Sequence, residues 1–214
     1  MEEFEFDEGD IEITPLTNED SGVSYHGGGS NKSYRDFKKP FKPNEESVKV
    51  IYTDGGSKRY ELPEGFKYVG SWSFYDENAK ELRGEAVEDA TNNQMELEAA
   101  IQALQYLDDM GVAKDKWVTI KLDSDYVRKG ILFWVKKWVQ NDWKRQLQDG
   151  TVEEVKNREY WEKLYTLNTS RKIYWILVPG HSGVEGNEIV DSKCSQLIRQ
   201  YADEHDISKR ANAK

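Results

Sequence analysis

Between Met95 and Asp109 the residues Leu97, Ala100, Ile101, Leu104 and Leu107 recur three and four positions apart, which puts one apolar face on one helix. Strand-like runs flank it, Val48 to Thr53 ahead and Trp117 to Leu122 behind. A strand, a helical crossover and a second strand in one sheet run parallel with a right-handed connection. This helix therefore sets the two runs parallel to each other. Lys67 to Tyr75 and Lys80 to Val87, joined by the turn residues Asp76-Glu77-Asn78, add an antiparallel meander to the first strand, after a loop rich in charge and Gly. Thr91-Asn92-Asn93 offers cap residues for the helix, which stops before Gly111. Asp125 to about Asp142 reads as helical, and an extended polar loop with Gly150 follows. Asn157 opens another helix, Lys172 to Val178 makes a fifth strand, and a final helix runs to about Ala202. The class is α/β.

With 214 residues the chain suffices for one core and is short for two. The ordered domain is expected over 47–203, with an acidic extension over 1–46 and a flexible tail over 204–214. The extension carries Gly27-Gly28-Gly29, Pro40 and Pro43 and lacks helical periodicity. Within it Phe4-Glu5-Phe6 and Ile11-Glu12-Ile13 alternate apolar and acidic residues, a pattern suited to a protein partner or to the domain's own basic patch. That patch is Arg128, Lys129, Lys136, Lys137, Lys144 and Arg145, opposed only by Asp142. A net charge of −10 excludes bulk electrostatic coating of nucleic acid but leaves this local field intact. Cys194 is the single cysteine, so no internal disulfide forms, and it reads as a core residue of the last helix. No apolar run follows a basic start, so a cytoplasmic protein without a membrane span is expected.

Four acids stand at element edges: Asp54 after the first strand, Glu96 in the first turn of the crossover helix, Asp123 after the fourth strand and Asp191 in the last helix. Singly each has an ordinary reading as turn residue, helix acid, cap or surface charge. Together they are a site. Asp54 and Asp123 lie at carboxyl ends of neighbouring parallel strands, where open α/β sheets place ligands. Converging carboxylates repel and raise one another's pKa unless cations bind. An all-oxygen donor set suits Mg²⁺ better than Zn²⁺. Two such ions activate water and stabilise both oxygens of a phosphodiester displacement.

Tyr-Thr-Asp-Gly at 52–55, Thr-Asn-Asn-Gln-Met-Glu-Leu at 91–97, Asp-Ser-Asp-Tyr-Val-Arg-Lys-Gly-Ile at 123–131 and Val-Pro-Gly-His-Ser-Gly-Val-Glu-Gly-Asn-Glu at 178–188, closing on Asp191, occur in that order. Residues 48 to about 201 resemble a type 1 ribonuclease H. The resemblance implies a mixed five-stranded sheet of order 3-2-1-4-5 flanked by helices, with Asp54, Glu96, Asp123 and Asp191 as metal ligands. It implies two Mg²⁺ ions, with Mn²⁺ as a substitute, and His181 as an aid to proton transfer or product departure. It also implies an endonuclease that cuts the RNA strand of RNA/DNA hybrids, leaving 5′-phosphate and 3′-hydroxyl ends, and a monomer. Trp134, Trp138 and Trp143 follow the spacing of the family's basic protrusion. Some of these rings are expected to pack it and others, with Tyr126, to meet sugars of the DNA strand. Asn92, Asn93, Gln94 and Asn187 are expected to bind substrate, the first three suiting 2′-hydroxyls in the wide minor groove. Thr91 and Asn157 match positions that help hold a DNA phosphate. Asp89 and Gln94 stand where family members often carry Arg, and Lys58-Arg59-Tyr60 and Pro63 replace a Gly- and Pro-rich loop. Two other readings share these residues: a non-catalytic hybrid-binding module, and a related nuclease acting on DNA junctions or transposon ends. Retention of all four acids weighs against the first, and His181 together with the Trp protrusion against the second.

Overall fold

The computed structural model describes residues 47–147 and 149–212. The acidic extension, its two alternating motifs and the last two residues lie outside them. Three antiparallel strands, β1 (Lys49–Leu62), β2 (Gly65–Asp76) and β3 (Glu81–Glu88), lead into helix α1 (Asn92–Asp109). Strand β4 (Trp117–Leu122) returns parallel to β1, pairing Lys49 with Val118 through Thr53 with Leu122. A broken helical segment follows: α2 (Asp125–Lys129), a π-helical turn (Gly130–Trp134) and α3 (Val135–Gln140). A small hairpin, β5 (Lys144–Gln146) and β6 (Val152–Glu154), precedes α4 (Arg158–Thr169), β7 (Lys172–Leu177), α5 (Glu185–Glu204) and α6 (Ile207–Asn212). The main sheet has the order β3-β2-β1-β4-β7, which is the expected order with the hairpin inserted before the fifth strand.

Alternation along β1 and β2 assigns the two sheet faces. A Cβ at Gly55 or Gly70 would meet Met95 of α1, whereas Gly56 faces Ile198 and Cys194 of α5. Ser71 and Ser73 donate to the carbonyls of Cys194 and Val190 in α5. The larger core lies between the sheet and α1 and α4, where Ile51, Phe74, Leu97, Ile101, Leu104, Ile120, Trp161 and Leu164 are all but inaccessible. Helix α5 lies across β1, β2 and β3 on the opposite face.

Four elements depart from expectation. The first strand continues through Asp54 to Leu62 because Gly55–Leu62 stays in register with Trp72–Gly65 of β2, so Asp54 sits mid-strand where the parallel pairing ends. The helix over 125–142 is interrupted: the Val135 N–H donates to the Gly130 carbonyl, the i to i−5 pattern of a π-turn. Gly130 there lies so close to the Trp161 ring that a Cβ would come within 1.9 Å of Cη2. The polar loop near Gly150 contains the β5–β6 hairpin, tied by the Arg145–Glu153 ion pair. Residues 204–212, expected as a flexible tail, finish α5 and form α6. There Ile207, 1% exposed, joins Tyr60, Val69, Ile198 and Ala202 in a second cluster. Ile207→Ala should lower stability by about 2–4 kcal/mol, read as the midpoint of urea unfolding. A tail that packs against nothing would leave that midpoint unchanged.

Candidate active site

Each acid is delivered by a different element. Asp54 projects from β1 toward the α5 side, paired in register with Ser73, and its Oδ1 accepts the Gly55 N–H at 2.8 Å. Glu96 rides on α1, whose start is set by a capping box: Thr91 Oγ1 accepts the Gln94 N–H at 3.4 Å, while Gln94 Oε1 accepts the Thr91 N–H at 2.8 Å. With the helix beginning at Asn92, Glu96 falls one turn deeper than expected. Asn92 Nδ2 donates to Glu96 Oε1 at 2.9 Å and Ser124 Oγ donates to Oε2. Asp123 leaves the end of β4 and accepts from Asn187 Nδ2 at 3.1 Å. Asp191 lies on α5, with His181 Nδ1 3.5 Å from its Oδ2.

Two glycines allow this convergence. A Cβ on Gly55 would lie 2.1 Å from the Met95 carbonyl carbon and 2.2 Å from the Glu96 nitrogen, so only glycine lets α1 rest on β1 there. A Cβ on Gly186 would lie 2.3 Å from the Tyr52 ring, so only glycine lets the first turn of α5 sit on that ring.

The four carboxylates and His181 line one open cleft of about 630 Å³, with Asn92, Ser57, Lys58, Ser195 and Arg199 at its sides. Burial, more than repulsion, makes ionisation costly there. Asp54 is pushed up to about 7 by burial first, then by the charges of Asp123 and Asp191, against the Gly55 hydrogen bond and His181. Glu96 is likewise raised to about 7, first by burial and then by Asp54 and Asp123, with Ser124 and Asn92 opposing. The Cys194 thiol is pushed up to about 12 by burial and by Asp54, so it stays protonated at neutral pH. Asn187 Oδ1 is buried without a protein partner beside Asp123. The donors are carboxylate oxygens, two of them hard to ionise without added positive charge. That combination fits a hard divalent cation.

Other expected substrate residues fall elsewhere. Gln94 is engaged through its Oε1 in the α1 cap, and Asn187 is 2% exposed, holding Asp123. Asn93 is exposed on the first turn of α1. Trp138 and Trp143, each 8% exposed, pack the protrusion, with Trp138 5.3 Å from Trp161 and 5.8 Å from the half-buried Trp134 between ring centroids. Tyr126 Oη accepts from Trp161 Nε1 at 3.1 Å and from Asn157 Nδ2 at 3.3 Å, which anchors Asn157 in its left-handed conformation. None of Tyr126, Trp134, Trp138 and Asn157 lines the acidic cleft. Two polar residues not singled out from sequence also belong to the site. Ser124 caps α2 while holding Glu96, and Glu188 accepts the Gly183 N–H and comes within 4.8 Å of His181 and Asp191. Glu188 stands one helical turn before Asp191, a spacing that was legible in sequence.

The sheet order and the acidic cleft define a ribonuclease H-like α/β enzyme. The family model described as RNase H matches residues 46–199. Proteins named Ribonuclease H from Chromohalobacter salexigens and Francisella philomiragia are 41% and 38% identical over 162 and 155 residues. These alignments cover 75% and 71% of this chain and 88% and 91% of the relatives. A solved foamy viral protease-reverse transcriptase in complex with dsDNA shares the fold at 19% identity and a TM-score of 0.55, over 74% of this chain and 98% of that one. The chain belongs to the ribonuclease H family and is an endoribonuclease.

A folded-state pKa of about 7 at Asp54, against 3.8 ordinarily, means that the metal-free folded protein holds a proton the unfolded chain has released. Metal-free stability should therefore fall as pH rises from about 4 through 7. Asp54→Asn should raise the metal-free melting temperature at pH 7.5, by the equivalent of about 1–3 kcal/mol, and flatten that slope. A thermal melt series across pH in chelator checks both; an unchanged or lowered midpoint in the variant would refute the electrostatic assignment.

Proposed function

We propose that this protein hydrolyses the RNA strand of RNA/DNA hybrids by a two-metal-ion mechanism, using Mg²⁺ and accepting Mn²⁺, and leaves 5′-phosphate and 3′-hydroxyl ends. The observation that carries this reading is the pair Asp54 and Glu96, desolvated beside Asp123 and Asp191 in one open cleft. Membership of the ribonuclease H family and relatives bearing that name support the substrate class. Ions held by the four carboxylates would supply an activated water and offset charge on the attacking and leaving oxygens.

The chain's own groups do the positioning. Gly55 N–H, Ser124, Asn92 and Asn187 each fix one carboxylate oxygen, so the acids face the cleft without rearranging during reaction. Asn92, whose side chain reaches Glu96, and the exposed Asn93 stand where 2′-hydroxyls of an RNA strand over the cleft would lie. His181, 82% exposed in its side chain on a loop that also holds the left-handed Gly183, faces Asp191 and is poised to move a proton at the leaving oxygen. Tyr126, Trp134 and Asn157 form a packed support for the basic protrusion, and Thr91 and Asn157 are proposed to take a phosphate of the DNA strand.

Asp54→Asn should reduce cleavage by at least about a thousandfold while hybrid binding persists, and His181→Ala by about 100-fold or less. The assay uses hybrids labelled on one strand at a time, beside RNA/RNA and DNA/DNA duplexes, with and without Mg²⁺. Undiminished cleavage by Asp54→Asn, or cleavage of the DNA strand, would overturn the reading.

A further inference from the structure

Two straight rails leave the carboxylates in the same direction. On β1, Asp54, Gly56 and Lys58 alternate onto one face, so Lys58 stands about 13 Å from Asp54 along the strand. On α5, Asp191, Ser195 and Arg199 are spaced four apart, so Arg199 stands about 12 Å beyond Asp191 along the helix. The rails meet: Gly56 faces Ile198 and Cys194. Lys58 and Arg199 consequently come to the sides of the cleft that holds Asp54 and Asp191.

Both cations are exposed, and among the described residues neither is in an ion pair, in a protein whose net charge is −10. Arg59, next along the chain and on the other face, pairs with Glu61; Lys67 pairs with Glu88 and Arg210 with Glu64. The charges acting most on Asp54 and Glu96 are those of the other acids and His181, so Lys58 and Arg199 are not there to neutralise the carboxylates. Their support is nevertheless built. Lys58 Nζ lies 4.9 Å from the centroid of the Tyr60 ring, and Tyr60 is 7% exposed against Val69, Ile198, Ala202 and Ile207. The cluster that holds α6 in place thus holds the strand extension carrying Lys58 against the helix carrying Arg199.

We infer that Lys58 and Arg199 form a phosphate clamp at the outer end of the cleft, gripping a backbone phosphate of the cleaved strand away from the scissile one. This rests on the proposed hydrolysis of a nucleic-acid strand over the four carboxylates and adds where that strand is held. Lys58 itself belongs to the departure from the family's Gly- and Pro-rich loop after Asp54. Point cations on rigid elements bind backbone without reading sequence, and each phosphate neutralised adds to the salt dependence of binding.

The test is steady-state cleavage of a defined RNA/DNA hybrid by the full chain, from 50 to 200 mM KCl at fixed Mg²⁺, for wild type, Lys58→Ala/Arg199→Ala and the charge-conserving Lys58→Arg/Arg199→Lys. The alanine pair should raise KM about tenfold at 100 mM salt with kcat within twofold. The slope of log KM against log salt should drop by about 1–2. The charge-conserving pair should restore most of both, and the melting temperatures of all three should agree, because the side chains are exposed. Unchanged KM and slope in the alanine pair, with wild type active, would overturn the clamp while leaving the hydrolysis intact. So would a lowered kcat with a shifted Mg²⁺ midpoint and an unchanged salt slope, since the cations would then serve the carboxylates. A wild type that cuts no hybrid would instead fail the underlying reading.

Discussion

The backbone of α1 rests directly on Gly55. With the Met95 carbonyl carbon only 2.1 Å from where a Cβ would be, no other residue tolerates the contact. This closeness brings the Glu96 carboxylate beside Asp54 and removes water from both. Everything else in the site follows from holding two acids in that place. The capping box fixes where α1 begins, the large core under α1 fixes its height over the sheet, and the parallel pairing of β1 with β4 brings Asp123 alongside. Gly186 lets α5 close from the opposite face, and Asp191 arrives with it.

Such a site is destabilising in the absence of cations, and the surrounding hydrogen bonds mitigate this without cancelling it. Ser124 and Asn92 favour ionised Glu96, and the Gly55 N–H favours ionised Asp54, yet burial outweighs both and leaves each near 7. The free energy that ionises them must then come from the bound cation, so cation binding is coupled to proton release and strengthens as pH rises. The exposed His181, Lys58 and Arg199 side chains are the solvent-facing counterpart of this half-buried pair, on a loop, a strand extension and the later turns of α5.

Much of this was legible in the sequence because it depends on period. The apolar face of 95–109 gave the crossover, the crossover gave the parallel pair, and the four acids fell at its edges. What stayed hidden depends on contacts between segments distant in sequence. Gly55-Gly56 reads as the start of a loop, but Gly55 is a close approach to α1 and the strand simply continues. The π-turn at Gly130 answers to Trp161, thirty-one residues on. Strands of three residues such as β5 and β6 are too short to show alternation, and α6 is held chiefly by Ile207 against a cluster assembled from three other elements. Side-chain engagement stayed hidden for a related reason. Gln94, Asn187 and Trp138 have the chemistry to touch a substrate, and only the fold shows that a cap, Asp123 and Trp161 also engage them.

The central claim is that Asp54 and Glu96 are protonated near neutrality until divalent ions bind. Calorimetric titration of the metal-free protein with Mg²⁺, in buffers of different ionisation enthalpy at pH 6, counts the protons released. The account predicts net release of about one to two protons at pH 6, shrinking toward zero by pH 8.5. Mg²⁺ binding at pH 6 without proton release would show that the two acids are already ionised, and would contradict it.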